Sequence, residues 1–222
     1  EQFMRERLAE YRRVISETGS IINLSKGLER RTACRPSQIL REFFPVATAI
    51  ASLGGPNIAS DVASAKPAFA TIAVENFWKS DQLSDLFKGT SIAVDVVTDV
   101  IAVELAGALK NVVAIAAGVT DGLGEGINFK AALVSKGFKE IQSISRALGA
   151  NPEALVSPFG VGDLVATCFS SESRNLRFGE ALGRGQSLEQ SINSLDGRIA
   201  EGFETALTCC SVIEHLRLNC PI

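Results

Sequence analysis

DVIAVELAGALKNVVAIAAG, residues 99–118, is the stretch on which the fold turns. Its apolar residues are dense and small, and no proline interrupts it. Ala102, Ala106, Gly107, Ala108, Ala114, Ala116 and Ala117 let neighbouring backbones come close. Apolar character around the whole circumference predicts a buried helix. After Asp99, the strongly polar side chains in the stretch are Glu104, Lys110 and Asn111. A lysine in such a helix needs a partner, a cavity or a chemical task, because burying an unpaired charge is costly. The run approaches the roughly 20 apolar residues of a membrane span. A charge at mid-helix and the lack of basic flanks favour a core helix with an employed lysine instead.

Upstream, helical and extended patterns alternate. Phe3, Leu8, Tyr11, Val14 and Ile15 fit an amphipathic helix, ended by residues 18–20. Residues 20–25 read as a short strand, so Lys26 stands just past its carboxyl end, where open α/β sheets place ligands. Pro36 and Ser37 open a helix to Phe44, and residues 46–53 read as a second strand. Gly54-Gly55-Pro56 predicts a tight turn, with Asn57 as the N-cap of a helix through Ala63. A strand over 69–74, a helix over 81–87 and a strand over 91–97 complete an α/β pattern. Beyond Asp99 the segments 128–147, 162–169, 174–182, 188–193 and 201–216 all read as helical. The expected organisation is α/β over residues 1–98 followed by all-α over 99–222, with the central helix as the joint and a ligand site between the two parts.

The 222 residues carry a formal net charge of −3 with both signs interspersed, which points away from a nucleic-acid groove or an anionic membrane surface. Small molecules and a second copy of the chain are the expected partners. The five cysteines are odd in number and lack CxxC spacing, so they read as reduced thiols. No metal site is expected, since His215 is the single histidine and reads as an ordinary helix residue. The chain opens at Glu1 inside a helical pattern and stops at Ile222 with no closing element, which predicts further sequence at both ends. A cytoplasmic location is expected, with a targeting segment left open by the missing N-terminus.

Four polar clusters stand out from this apolar background: Ser25-Lys26-Gly27, the Gly107–Asn111 run, Gly160-Val161-Gly162-Asp163 with Thr167, and Ser173-Arg174-Asn175. The last, at a helix start, suits an anion, because free N–H groups and the dipole favour phosphate and arginine adds a bidentate fork. A plain N-cap with a solvated arginine is the alternative reading. Gly160-Val161-Gly162 lacks the spacing and preceding strand of a dinucleotide loop, and reads as a turn delivering Asp163. Residues 122–126 read as a connector. Lys110 and Asp163 form either a simple buried ion pair or a catalytic one.

In order along the chain, GALKNVVAIAAG, DGLGEG, KAALVSKG, GVGDLVATC and SRNLRFGEALGRG resemble the NAD(P)-dependent glycerol-3-phosphate dehydrogenase family, as do residues 24–29 and 55–59. The resemblance implies the second half of a Rossmann-type domain joined to a helical substrate and dimerisation domain. The nucleotide-binding first half, with its GxGxxG loop, would be absent from this chain. It further implies interconversion of dihydroxyacetone phosphate and sn-glycerol 3-phosphate with NAD or NADP, by a homodimer. Lys110 would be the proton donor or acceptor, with Lys26 and Asp163 beside it. Substrate contacts fall to Lys26, Gly55, Asn57, Lys110, Asn111, Asp163, Thr167, Ser173, Arg174 and Asn175. Cofactor contacts fall to Lys26, Ala59, Arg174, Ile199 and Glu201. The sequence departs from the family pattern at Ala102, at Phe129 and at Ser157-Pro158-Phe159, and motif order places Phe129 and Pro158 near the pocket entrance. The rival readings are a related dehydrogenase of the same architecture acting on another hydroxy acid, and a non-catalytic helical dimerisation module.

Overall fold

In the computed structural model, which describes residues 4–12, 19–47, 49–195 and 200–222, the chain alternates helices and strands as far as Val97 and is helical thereafter. The first part runs α1 (Met4–Tyr11), β1 (Ser20–Asn23), α2 (Pro36–Phe43), β2 (Ala49–Gly54), α3 (Ala59–Ala63), β3 (Ala68–Val74), α4 (Ser80–Ser84) and β4 (Ile92–Val97). The four strands lie in the order β1-β2-β3-β4. Helical crossovers through α2 and α4 make β1–β2 and β3–β4 parallel, while the short α3 link returns β3 antiparallel to β2. β2 and β3 are the central strands, and their residues are almost wholly buried, as an apolar run of β-branched and small side chains predicts. β2 starts later than the sequence pattern suggests. Pro45 cannot continue α2, and the turn closed by the Ala47 N–H on the Phe44 carbonyl leaves Val46 exposed.

α5 (Val100–Leu123) then passes through the middle of the molecule. Asp99 starts it: Oδ1 accepts from the Ala102 N–H at 2.9 Å, and Oδ2 accepts from the Asn151 N–H at 2.8 Å. Gly124, at φ +75°, ends it in the left-handed conformation. Around α5 stand α6 (Gly126–Ala147), α7 (Asp163–Phe169), α8 (Arg174–Gly183) and α10 (Glu201–Leu216), with β2 against its first half and α9 (Leu188–Asn193) outside α8. Leu105, Leu109 and Val113 of α5 meet Leu155, Leu164, Leu176 and Ile141 in one continuous core. Each such aliphatic side chain contributes about 1.5–3 kcal/mol on burial.

α5 and α8 touch backbone to backbone. A Cβ on Gly118 would fall 2.0 Å from the Leu176 carbonyl oxygen, and one on Gly179 would fall 1.9 Å from that of Ile115. Gly118 of α5 and Gly179 of α8 are therefore what lets these two helices touch. The helix is long and apolar enough to cross a membrane, yet 78% of its most apolar window is covered by the protein's own elements. Residues 158–162 form a π-helical turn that runs directly into α7 at Asp163, with Gly160 flat against the Leu155 carbonyl. One local expectation is corrected. The residue that caps α3 is Ile58, not Asn57.

Candidate functional site

Lys110 lies at the middle of α5 with only 7% of its side chain exposed. It cannot stay charged there without partners, and α7 supplies them. Asp163 is the first residue of α7 and Thr167 follows one turn later, so both side chains lie on one face. The Lys110 ammonium donates to Asp163 Oδ1 and, at 3.0 Å, to Thr167 Oγ1. Thr167 Oγ1 in turn donates to the Asp163 carbonyl at 2.6 Å. Lys26, in the loop after β1, reaches Asp163 Oδ2 at 3.2 Å. One buried carboxylate thus serves two amines, which leaves one surplus positive charge. Burial and the nearby Lys26 push the Lys110 pKa down from 10.5 to about 8, against the opposing pull of Asp163. An amine tuned this way is still mainly protonated at neutral pH and exchanges its proton readily.

The start of α8 lies across from this group. Ser173 Oγ accepts from the Leu176 N–H at 3.3 Å, which fixes the cap. Among the described residues Arg174 makes only a 3.8 Å contact with Glu201, with both side chains nearly half exposed. Exposed pairs of that kind contribute little, so the guanidinium is open to an anion. Asn175 Oδ1 accepts from the Gly202 N–H at 3.0 Å and ties α10 to α8. A Cβ on Gly202 would come within 2.6 Å of the Asn111 carbonyl oxygen, so glycine is what allows the three helices to converge. Asn111 is buried, its Nδ2 donating to the Gly107 carbonyl at 3.4 Å.

The turn after β2 forms the third wall. Gly55 has φ +128°, and a side chain there would strike the Phe69 carbonyl. Asn57 follows it, and its buried Oδ1 has no hydrogen-bond partner among the described residues. Such an atom is costly unless something else satisfies it.

These walls enclose a cleft of about 250 Å³ lined by Lys26, Asn57, Ala59, Lys110, Asn111, Thr167, Ser173, Arg174, Asn175 and Glu201. Ile58, Ala166, Ser170 and Glu172 also line it. Their signal in the sequence is position alone, since they lie between residues chosen for their chemistry. Gly55 supports the cleft without lining it, and Asp163 is sealed behind the two amines, only 2% exposed. Ile199 lies outside the described residues. Phe129 and Pro158 are not among the residues that line the cleft. Lys130, next to Phe129, instead donates to Asp121 at 2.6 Å and stacks over the Phe169 ring.

A roomier cleft of about 510 Å³, between α2 and the far end of β2, is lined by Arg35, Arg41, Glu42 and Glu75 in balanced charge. It brings no paired amines together, so the chemistry favours the smaller one. Among the described residues no group of histidine, cysteine and acidic side chains could hold a metal ion.

Comparison with known proteins identifies the family of this chain. The family model for the C-terminus of NAD-dependent glycerol-3-phosphate dehydrogenase matches residues 99–222, and that for its N-terminus matches residues 1–79. Part of the N-terminal domain is therefore present in this chain. Glycerol-3-phosphate dehydrogenase [NAD(P)+] of Bacillus cytotoxicus is 39% identical over 220 residues, covering 98% of this chain and 64% of the relative. The protein of the same name from Chlorobium phaeobacteroides is 37% identical, covering 100% and 66%. The chain thus spans about two thirds of the length of these relatives, and, against the expectation that the N-terminal nucleotide-binding part is absent, it carries a match to the N-terminal family domain. Among solved structures, glycerol-3-phosphate dehydrogenase from Coxiella burnetii superposes with a TM-score of 0.91 at 29% identity, over 98% of this chain and 66% of that one. The Dunaliella salina structure gives 0.87 at 27% identity, over 96% and 38%. The fold is thus a Rossmann-like N-terminal part followed by an all-helical C-terminal domain.

Proposed function

This chain belongs to the NAD-dependent glycerol-3-phosphate dehydrogenase family, and from that premise we propose that the protein interconverts dihydroxyacetone phosphate and sn-glycerol 3-phosphate with NADH or NADPH, supplying glycerol 3-phosphate for glycerolipid synthesis. The observation that carries this reading is a single cleft with a buried, proton-exchanging amine at one wall and an arginine-bearing helix start at another. A three-carbon ketone phosphate needs those two groups.

In this reading the Lys110 ammonium holds the C2 oxygen and gives it a proton in reduction, and as a free amine takes one back in oxidation. Asp163 fixes both amines, Thr167 aims Lys110, and Lys26 keeps the field positive where negative charge develops. Ser173, Arg174 and Asn175 receive the phosphate. The residues present also fit a nicotinamide cofactor: Asn57 Oδ1 is a buried acceptor without a donor, which a carboxamide has, and Ala59, Lys26, Arg174 and Glu201 border the same cleft. NAD(P)H, when bound, supplies the hydride. Self-association as a homodimer and a cytoplasmic location complete the reading, and sedimentation equilibrium tests the former.

The full-length protein should oxidise NADH or NADPH when given dihydroxyacetone phosphate, read as loss of absorbance at 340 nm, and should do so far more slowly with unphosphorylated dihydroxyacetone. Turnover on a hydroxy acid or sugar nucleotide instead, or on nothing, would overturn it.

A further inference from the structure

The proposed mechanism requires Lys26 to stand beside Asp163, yet Lys26 belongs to a loop, and loops do not hold a flexible side chain in place by themselves. We infer that Asn23, the last residue of β1, is the positioning residue that aims Lys26 at the cleft. Asn23 is 6% exposed, and its side chain grips the loop from both sides. Oδ1 accepts from the Ser25 N–H at 3.0 Å, and Nδ2 donates to the Ser25 carbonyl at 2.9 Å. Both backbone groups of the residue preceding Lys26 are therefore fixed by one amide.

That amide is itself anchored. Its Nδ2 lies 3.5 Å from Ser52 Oγ on β2, and Ser52 Oγ donates to Glu104 Oε1 on α5 at 2.8 Å. Glu104 lies one helical turn before Gly107, on the same face of α5. Gly107 is where the stem of Lys26 crosses the helix: a Cβ at 107 would sit 3.5 to 3.9 Å from Cγ, Cδ and Cε of that stem. The lysine is thus held at its root by Asn23, laid along the bare flank of α5, and received at its tip by Asp163. Asn23 is not among the residues lining the 250 Å³ cleft, and its role there is exerted through Lys26.

The inference rests on the reading given under Proposed function, and its test has an arm that does not. Competitive amine labelling across pH reads the Lys110 titration in this chain. Asn23→Ala lets Lys26 drift from Asp163, which relieves the repulsion on Lys110 and raises its titration midpoint by about half a unit or more. In Asn23→Ser the hydroxyl caps the Ser25 N–H more weakly than an amide does, so the shift is in the same direction but smaller. In the full-length enzyme Asn23→Ala lowers kcat by about ten- to a hundredfold, the scale of a misplaced catalytic group, and Asn23→Ser recovers part of it. Should the alanine variant fail to fold, the serine variant decides. Wild-type titration and wild-type kcat in the serine and alanine variants that fold would overturn the role of Asn23. A wild-type enzyme inactive on dihydroxyacetone phosphate would instead overturn the proposed function, and the labelling result would still judge Asn23.

Discussion

α5 carries two buried ion-pair centres, at Glu104 and at Lys110, built from the same chemistry and put to opposite uses. Glu104 accepts from the Ser37 N–H and Oγ, from Arg35 and from Ser52, all within 2.8 Å, and its one charge faces one guanidinium. Every lone-pair direction is filled, and Glu104 lines neither the 510 Å³ nor the 250 Å³ cleft. Asp163 is shared by two amines, leaving a cation in excess, and those amines face an open space. A closed, neutral network holds α2, β2 and α5 together. An open, positively charged one is poised to bind and to exchange a proton.

Substitutions can break this contrast. The largest effect is expected at Lys110: Lys110→Met should lower kcat by about 10²- to 10⁴-fold while leaving the far-ultraviolet circular dichroism unchanged, and near-normal turnover would remove the distinction. Next comes Glu104→Ala, which strands Arg35 and two serines. Denaturant unfolding should show a loss of about 3–5 kcal/mol, the range for breaking a buried pair, where Lys110→Met loses far less. Arg174→Ala should weaken phosphorylated substrates by about 1.5–3 kcal/mol, the value of a charge-assisted hydrogen bond, seen as a raised KM with little change toward unphosphorylated dihydroxyacetone.

The smallest test is titration. Because Lys110 has a folded pKa of about 8 against 10.5 unfolded, the unfolded chain binds the proton more tightly. Stability from this group is present above pH 10.5 and is lost as pH falls through 8. Wild type should therefore gain stability relative to Lys110→Met as pH rises from 8 to 10.5. Over the same range carbonyl reduction should slow.

Much of this was legible in the residues, for identifiable reasons. A long apolar run with a lysine at its middle and no basic flanks favours a covered helix whose lysine has a partner, and both the helix and the Asp163 contact are present. Strands with apolar runs and helices with clear caps were placed within a few residues. What the sequence hid was set by tertiary contact. Asn57 looked like an N-cap because asparagine before a helix usually is one, but its side chain is drawn into the cleft. The small residues of α5 predict close backbone approach, but spacing cannot say which element approaches: Gly118 meets α8, whereas Gly107 meets the stem of Lys26. Gly202 carried no motif, and its necessity shows only where α10 meets Asn111.

The main-chain contact between α5 and α8 has one more consequence. Lys110, the proposed proton donor, rides on one helix and Arg174, in the proposed phosphate site, on the other, so their separation is set by peptide groups in van der Waals contact and not by side chains that can repack. The pair acts as a fixed caliper for the length of a molecule gripped at both ends. Ketone phosphates one or two carbons longer than the three-carbon compound should fall outside its jaws, and a homologous series would gauge how sharply.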